Sequence, residues 1–166
     1  MMEIRFGILT VSDRSARGQR ADASGPALEQ AISVQEGWQV TEQSLVADEI
    51  ESIRSILEGW SDGDRADVIL TTGGTGFSPR DVTPEATQAA IERPVPGLAE
   101  AMRSASLLIT PHAMLSRAIA GIRHRTLIVN LPGSPKAAVE NLAVITPVLP
   151  HAVLMIRDDP RYEESH

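Results

Sequence analysis

The sequence predicts an α/β fold of three layers, a mainly parallel sheet with helices on both faces. Three observations carry this. Short apolar runs rich in β-branched residues recur along the chain, and helical periodicity fills the segments between them. The runs also stop abruptly at Ser, Asp, Gly or Pro instead of fading into polar alternation. Strands that alternate with helices through short loops imply neighbours running parallel, covered on both sides. With 166 residues, one domain spanning 1–166 suffices, since a chain of that size buries roughly two-thirds of its unfolded surface.

The first run, IRFGILTV at 4–11, is closed by Ser12 and Asp13 and reads as a buried strand. ADVILTT at 66–72 and RTLIVNLPG at 125–133 have the same character, whereas WQVTEQSLV at 38–46 has a polar middle and is placed nearer an edge. Between the strands, Leu28, Ala31 and Ile32 share a helix face after Ser24-Gly25-Pro26. Ile50, Ile53, Leu57 and Trp60 repeat at helical spacing, as do Leu98, Ala101, Met102 and Ala105. Thr83 before Pro84 predicts a helix start, with a capping hydroxyl and proline in the first helical position. A last helix begins near Pro135 and carries Val139, Leu142, Ala143 and Ile145, with Pro147 and Pro150 set to break or kink it.

Composition narrows the function. Fifteen basic residues against 22 acidic ones give a net charge of −7, which argues against nucleic acid as a partner because phosphate contacts need clustered Lys and Arg. An anionic ligand must then be held locally, by backbone N–H groups, a bound cation, or arginines such as Arg14, Arg80 and Arg117. There is no cysteine, and His112, His124, His151 and His166 show no metal-ligand spacing. The N-terminal stretch does not follow the pattern of a secretory signal and no uninterrupted apolar run approaches about 18 residues, so no membrane is implied and the expected location is cytoplasmic.

In a parallel sheet, ligands bind beyond the carboxyl ends of the strands. Ser12-Asp13, TTGGTG at 71–76 and NLPGSP at 130–135 each follow a strand and so share one rim. Gly73, Gly74 and Gly76 permit positive φ and close approach, Thr71, Thr72 and Thr75 add hydroxyls, and successive N–H groups in such a turn suit phosphate. The pattern is neither a Walker A loop nor G-x-G-x-x-G, and it also fits a plain tight turn. Asp81 lies on this rim but would equally favour a helix N-terminus. Asp48 follows the second strand, yet with Glu51 three residues on it also fits a capping box. If both aspartates face a phosphate loop, a cation must stand between them, and magnesium is the hard, oxygen-seeking choice. Asn130 offers an amide, Gly133 a close approach, and Ser134-Pro135 a helix start, by cap or by dipole toward an anion. The polar segment 12–26 is long for a connection without structure.

Four blocks, taken in order, carry a resemblance that covers nearly the whole chain. They are Ser12-Asp13-Arg14 with Gly18, Asp22 and Ser24-Gly25-Pro26, then TTGGTGFSPRDVTPEAT, then SLLITPHAMLSRAIAGIR at 106–123, then NLPGSPKA. Together they resemble the molybdopterin adenylyltransferases: MogA, the related MoaB, and the G domains of plant Cnx and of gephyrin. The resemblance implies an α/β domain, a homotrimer, that binds molybdopterin and ATP and makes adenylylated molybdopterin plus pyrophosphate with Mg2+. A molybdenum-insertion protein is a further partner to consider. The family's two important aspartates match Asp48 and Asp81, as catalytic residues and metal ligands. Its pterin-binding segments match the Ser12-Asp13 loop, Ser106, Ser116 and the loop holding Asn130, Pro132, Gly133 and Ser134. The C-terminal region, without the longer insertion of bacterial MogA, is more similar to the plant G domain and MoaB. That similarity keeps a second expectation open, a pterin-binding carrier that does not react its ligand.

Overall fold

A computed structural model describes residues 2–165; of the residues named above, His166 lies outside them. Six strands, β1 (Ile4–Val11), β2 (Trp38–Val46), β3 (Val68–Thr72), β4 (Arg93–Pro94), β5 (Ala120–Arg123) and β6 (Thr126–Leu131), form one sheet in the order β2-β1-β3-β6-β5-β4. The first four in that order are parallel, and β5 and β4 add an antiparallel edge. β2 takes the opposite edge, where its alternating burial matches its polar middle.

Among the described residues, α1 (Asp13–Ala16), α2 (Ser24–Ser33), α3 (Ile50–Asp62), α4 (Thr83–Ala90) and α5 (Pro96–Leu107) lie between strands, and α6 (Pro135–Ile145) and α7 (Leu149–Ile156) follow β6. Side-chain alternation along each strand feeds two cores. Phe6, Ile8, Val68, Leu70 and Val129 pack against α2, α5, α6 and α7, while Leu9, Ile69 and Ile128 pack against α3 and α4. Each fully buried aliphatic or aromatic side chain contributes about 1.5–3 kcal/mol by leaving water. Trp60 reaches the sheet because residue 7 is glycine; a Cβ there would sit 2.8 Å from the indole ring.

Some expectations change. Thr83 is the first residue of α4 rather than its cap, and its buried hydroxyl donates 2.9 Å to the Gly73 carbonyl, ten residues away. The hydroxyl expected to accept from a local N–H donates to a distant carbonyl instead. The prolines at 147 and 150 kink the last helix through a 3-10 turn (Thr146–Val148), after which it resumes as α7, and Ala143 faces outward. By length and composition 135–156 would suit a membrane span, yet Leu142, Ile145, Leu149 and Val153 are all buried against the sheet. The polar segment 12–26 is structured, with α1 inside it and Asp22 pinned by Thr10 and Gly25. β5 and β4 were not foreseen: they are short, and Gly121 and Pro94 dilute them.

Candidate functional site

From β1 the chain goes out to β2 on one side, then crosses by α3 to β3 on the other side of β1, so the sheet's switch point lies between β1 and β3. A cavity of about 550 Å³ opens at their carboxyl ends. Ser12, Asp13, Asp48, Gly73, Gly74 and Asp81 line it, with Thr72, Gly133 and Ser134. Both expected aspartates therefore face one space.

Asp48 is held there by a reciprocal pair. Its Oδ2 accepts 2.8 Å from the Asp13 backbone N–H, and its own N–H donates 3.0 Å to Asp13 Oδ1. The capping box does not form, because the cap of α3 is Glu49 and the Asp48 carboxylate points across to α1. Arg80 grips the other face of Asp13 with two bonds of 2.8 and 2.9 Å. That guanidinium holds the Asp13 carboxyl down at about 2. Burial pushes the Asp48 carboxyl above its ordinary value, and the nearby charges of Asp13 and Asp81 add to this. Asp81 Oδ2 accepts 2.9 Å from the Ser78 N–H. Among the described residues neither Asp48 nor Asp81 has a cation within 4 Å, and no group of three or more His, Asp or Glu is arranged to hold a metal ion by itself.

The glycine loop is built for close approach. Gly73 and Gly74 have φ of 105° and 66°, and a Cβ on Gly73 would strike the Val11 carbonyl. Part of the expected anion cradle is already used, since the Gly73 N–H donates 3.2 Å to the Leu131 carbonyl. The cradle open to a ligand therefore starts at Gly74. Thr72 donates 2.7 Å to the Pro132 carbonyl, which ties the glycine loop to the loop after β6.

These two loops divide the large cavity from a second, largely apolar one of about 280 Å³. Thr75, Gly76 and Pro132 face the smaller space, joined there by Ser106 and Ser116. Ser106 Oγ accepts 3.1 Å from Asn141. The expected site residues thus fall into two groups on either side of one divide.

Asn130 is a correction. It is 0% exposed; its amide nitrogen donates to the hydroxyls of Thr71 and Thr87, and its oxygen accepts from the Ile119 N–H. The side chain knits β6 to β3, α4 and the segment before β5 and offers nothing to either cavity. Arg117, expected as an anion ligand, donates instead to main-chain carbonyls and to Glu85. Arg14 does line the large cavity. His112 pairs with Thr110, His124 lies beside Asp62, and His151 packs on Tyr162. Asp22 and Arg20, which also line the large cavity, were not among the expected site residues; the available signal for Asp22 was its place three residues before Gly25, whose N–H it accepts.

Comparison with known proteins shows the family. The family model described as "Probable molybdopterin binding domain" matches residues 7–151. Gephyrin of Dictyostelium discoideum is 47% identical over 96% of this chain, which spans only 24% of that longer protein. A molybdopterin adenylyltransferase of Helicobacter pylori is 41% identical over 94% of this chain and 89% of its own length. The crystal structure of the molybdopterin biosynthesis enzyme MoaB from Thermus thermophilus superposes with a TM-score of 0.88 at 49% identity, covering 94% of this chain and 98% of that one. With a family match across most of its length and relatives this similar at high coverage, the chain belongs to the molybdopterin-binding domain family of molybdenum cofactor biosynthesis.

Proposed function

We propose that this chain transfers the adenylyl group of ATP to molybdopterin, the relatives' named activity. The terminal phosphate oxygen of molybdopterin attacks the α-phosphorus of ATP, the bond from that phosphorus to the bridging oxygen breaks, and pyrophosphate leaves in line. Such a transfer asks the protein for positioning and charge stabilisation rather than covalent help. The observation that supports it best is the pair Asp48 and Asp81, two carboxylates with no ion pair of their own among the described residues that line one cavity beside a glycine turn.

That donor set fits magnesium, which is usually held by one or two carboxylates together with phosphate oxygens and so needs no third acidic side chain. Asp48 and Asp81 would hold the ion, and when bound it supplies positive charge against the phosphates. Asp13 fixes Asp48, and Arg80 balances Asp13. Ser12, Gly74, Gly133 and Ser134 border the phosphates in the larger cavity, while Thr75, Gly76, Ser106, Ser116 and Pro132 border the pterin end in the smaller. Residues 1–166 act as one domain, in keeping with a single sheet flanked by both cores. We assign a cytoplasmic location and a homotrimer to the same proposal. Association has support in exposed apolar side chains, among them Leu108 at 89%, Ile109 and Met114, and the number three is taken from the family resemblance. Light scattering then returns about three times 17.8 kDa. A molybdenum-insertion protein is the natural recipient of the product.

The test is to incubate the protein with molybdopterin, ATP and magnesium and to measure pyrophosphate. Release that depends on molybdopterin supports adenylyl transfer. Retention of the pterin without release supports the carrier, and ATP loss without pterin supports a nucleotide hydrolase.

A further inference from the structure

We propose that Arg117 is a positioning residue that fixes Asp81 through the main chain of its loop. The inference rests on the adenylyltransferase proposal for what Asp81 does, but its geometry stands without it.

Residues 76–81 make an excursion that carries Arg80 and Asp81 to the large cavity. Inside the excursion the bonds are local, from the Ser78 N–H to Asp81 Oδ2 and from the Asp81 N–H to the Ser78 carbonyl, and at its front the half-exposed Arg80 side chain reaches out to Asp13. Local bonds shape such a loop but do not locate it. Arg117 does so from behind. Its backbone N–H donates 2.8 Å to the Thr75 carbonyl, its Nε donates 2.8 Å to the Gly76 carbonyl, and its Nη2 donates 2.6 Å to the Asp81 carbonyl. One residue therefore holds both ends of the excursion.

The chemistry explains why arginine stands here. A planar guanidinium presents several N–H groups in a rigid fork and meets two carbonyls at fixed separation, which a single ammonium on a flexible stem does not. The remaining side of the fork faces Glu85, which orients the group and balances its charge. Glu85 is nearly half exposed, so this ion pair adds little by itself. Arg117 follows Ser116, a wall residue of the smaller cavity. A residue seated beside one cavity thus governs the placing of a carboxylate in the other. Displacement of a positioned group by about an ångström costs on the order of a hundredfold in rate, which sets the scale of the expected effects.

The experiment is a cycle of four proteins: wild type, Arg117→Lys, Asp81→Asn and the double variant. Magnesium-dependent ATP affinity is read by calorimetry and turnover by pyrophosphate release. Arg117→Lys is expected to weaken that affinity about tenfold and to slow release about thirtyfold. In the Asp81→Asn background the same substitution is expected to change the affinity less than about twofold, because the group it positions has gone. Equal factors in both backgrounds overturn the proposal, since a residue that only stabilises the fold acts alike in each. Amide exchange of 76–81 gives a readout that needs no ligand: it is expected to rise about tenfold in Arg117→Lys while α3 stays unchanged, and an unchanged loop overturns the proposal. If Arg117→Lys does not fold, Glu85→Gln replaces it, with a smaller loss of about threefold that must likewise vanish in the Asp81→Asn background. A wild type that binds ATP but releases no pyrophosphate sinks the adenylyltransferase proposal and leaves the affinity cycle and the exchange measurement to decide Arg117.

Discussion

Asp67, just before β3, and Asp48, just after β2, sit at opposite ends of one sheet. Asp67 is 2% exposed and accepts from the backbone and guanidinium of Arg5 and from Arg157. Burial pushes its carboxyl upward, but the two arginines outweigh this and hold it below the ordinary value. Asp48 accepts one backbone N–H and shares its surroundings with two more carboxylates, and its carboxyl is raised. At one end of the sheet the chain supplies the counter-charge for its carboxylate. At the other the chain's cation, Arg80, is bonded to Asp13, and among the described residues Asp48 and Asp81 are left without an ion pair of their own, which is the physical content of the proposed metal site.

The comparison breaks most sharply on activity. Asp81→Asn is expected to lower adenylylation by about 10²–10³, or about 3–4 kcal/mol of transition-state stabilisation, whereas Asp67→Asn leaves the rate within about twofold. Steady-state pyrophosphate release checks both. Stability reverses the ranking. Asp67→Ala removes the carboxylate of a buried pair and is expected to cost about 2–4 kcal/mol in urea unfolding, somewhat moderated because Arg5 and Arg157 keep 31% and 24% exposure. Asp48→Asn keeps an oxygen for the Asp13 N–H and removes a repelled charge. It is expected to raise stability by about 0.5–1 kcal/mol while lowering the rate, a trade common at functional positions.

The smallest effect is one of pH, and its sign differs at the two ends. Asp67 is depressed in the folded state, so its contribution is present above the unfolded value of 3.8 and is lost as pH falls through the folded one. Asp48 is raised, so the folded state favours its protonated form. Stability from that group is present below 3.8 and is lost as pH rises through the folded value. Urea midpoints taken at neutral and acid pH are expected to show the Asp67→Asn deficit shrinking in acid, and the Asp48→Asn advantage shrinking as well. A deficit for Asp67→Asn that grows in acid contradicts the pairing.

The central strands β1, β3 and β6 were legible because strands buried on both faces read as apolar runs. The edge pair β4 and β5 was not, because its residues are few and include Gly121 and Pro94 and its pairing is fixed by contact with Ile91 and β6. At the site, the loops that follow strands announced themselves by glycine and by position. What stayed hidden were the partners. Asp48 looks like a cap until Asp13, 35 residues earlier, takes its carboxylate. Thr83 looks like one until Gly73 takes its hydroxyl. Asn130 sits in a site-like motif, yet folding turns its amide inward. Arg117 reads as a free cation, but its acceptors lie 36 and 41 residues away. Local pattern marked the places, and only tertiary contact assigned the atoms.

The most direct measurement is the magnesium concentration that half-saturates pyrophosphate release at fixed ATP and molybdopterin, compared for wild type, Asp81→Asn and Asp67→Asn. A carboxylate pair with no ion pair of its own, as the proposed metal site has it, predicts that Asp81→Asn raises this concentration at least about tenfold while Asp67→Asn leaves it unchanged. An Asp81→Asn protein with the wild-type magnesium requirement and a rate within about threefold of wild type, a change under about 1 kcal/mol, contradicts it.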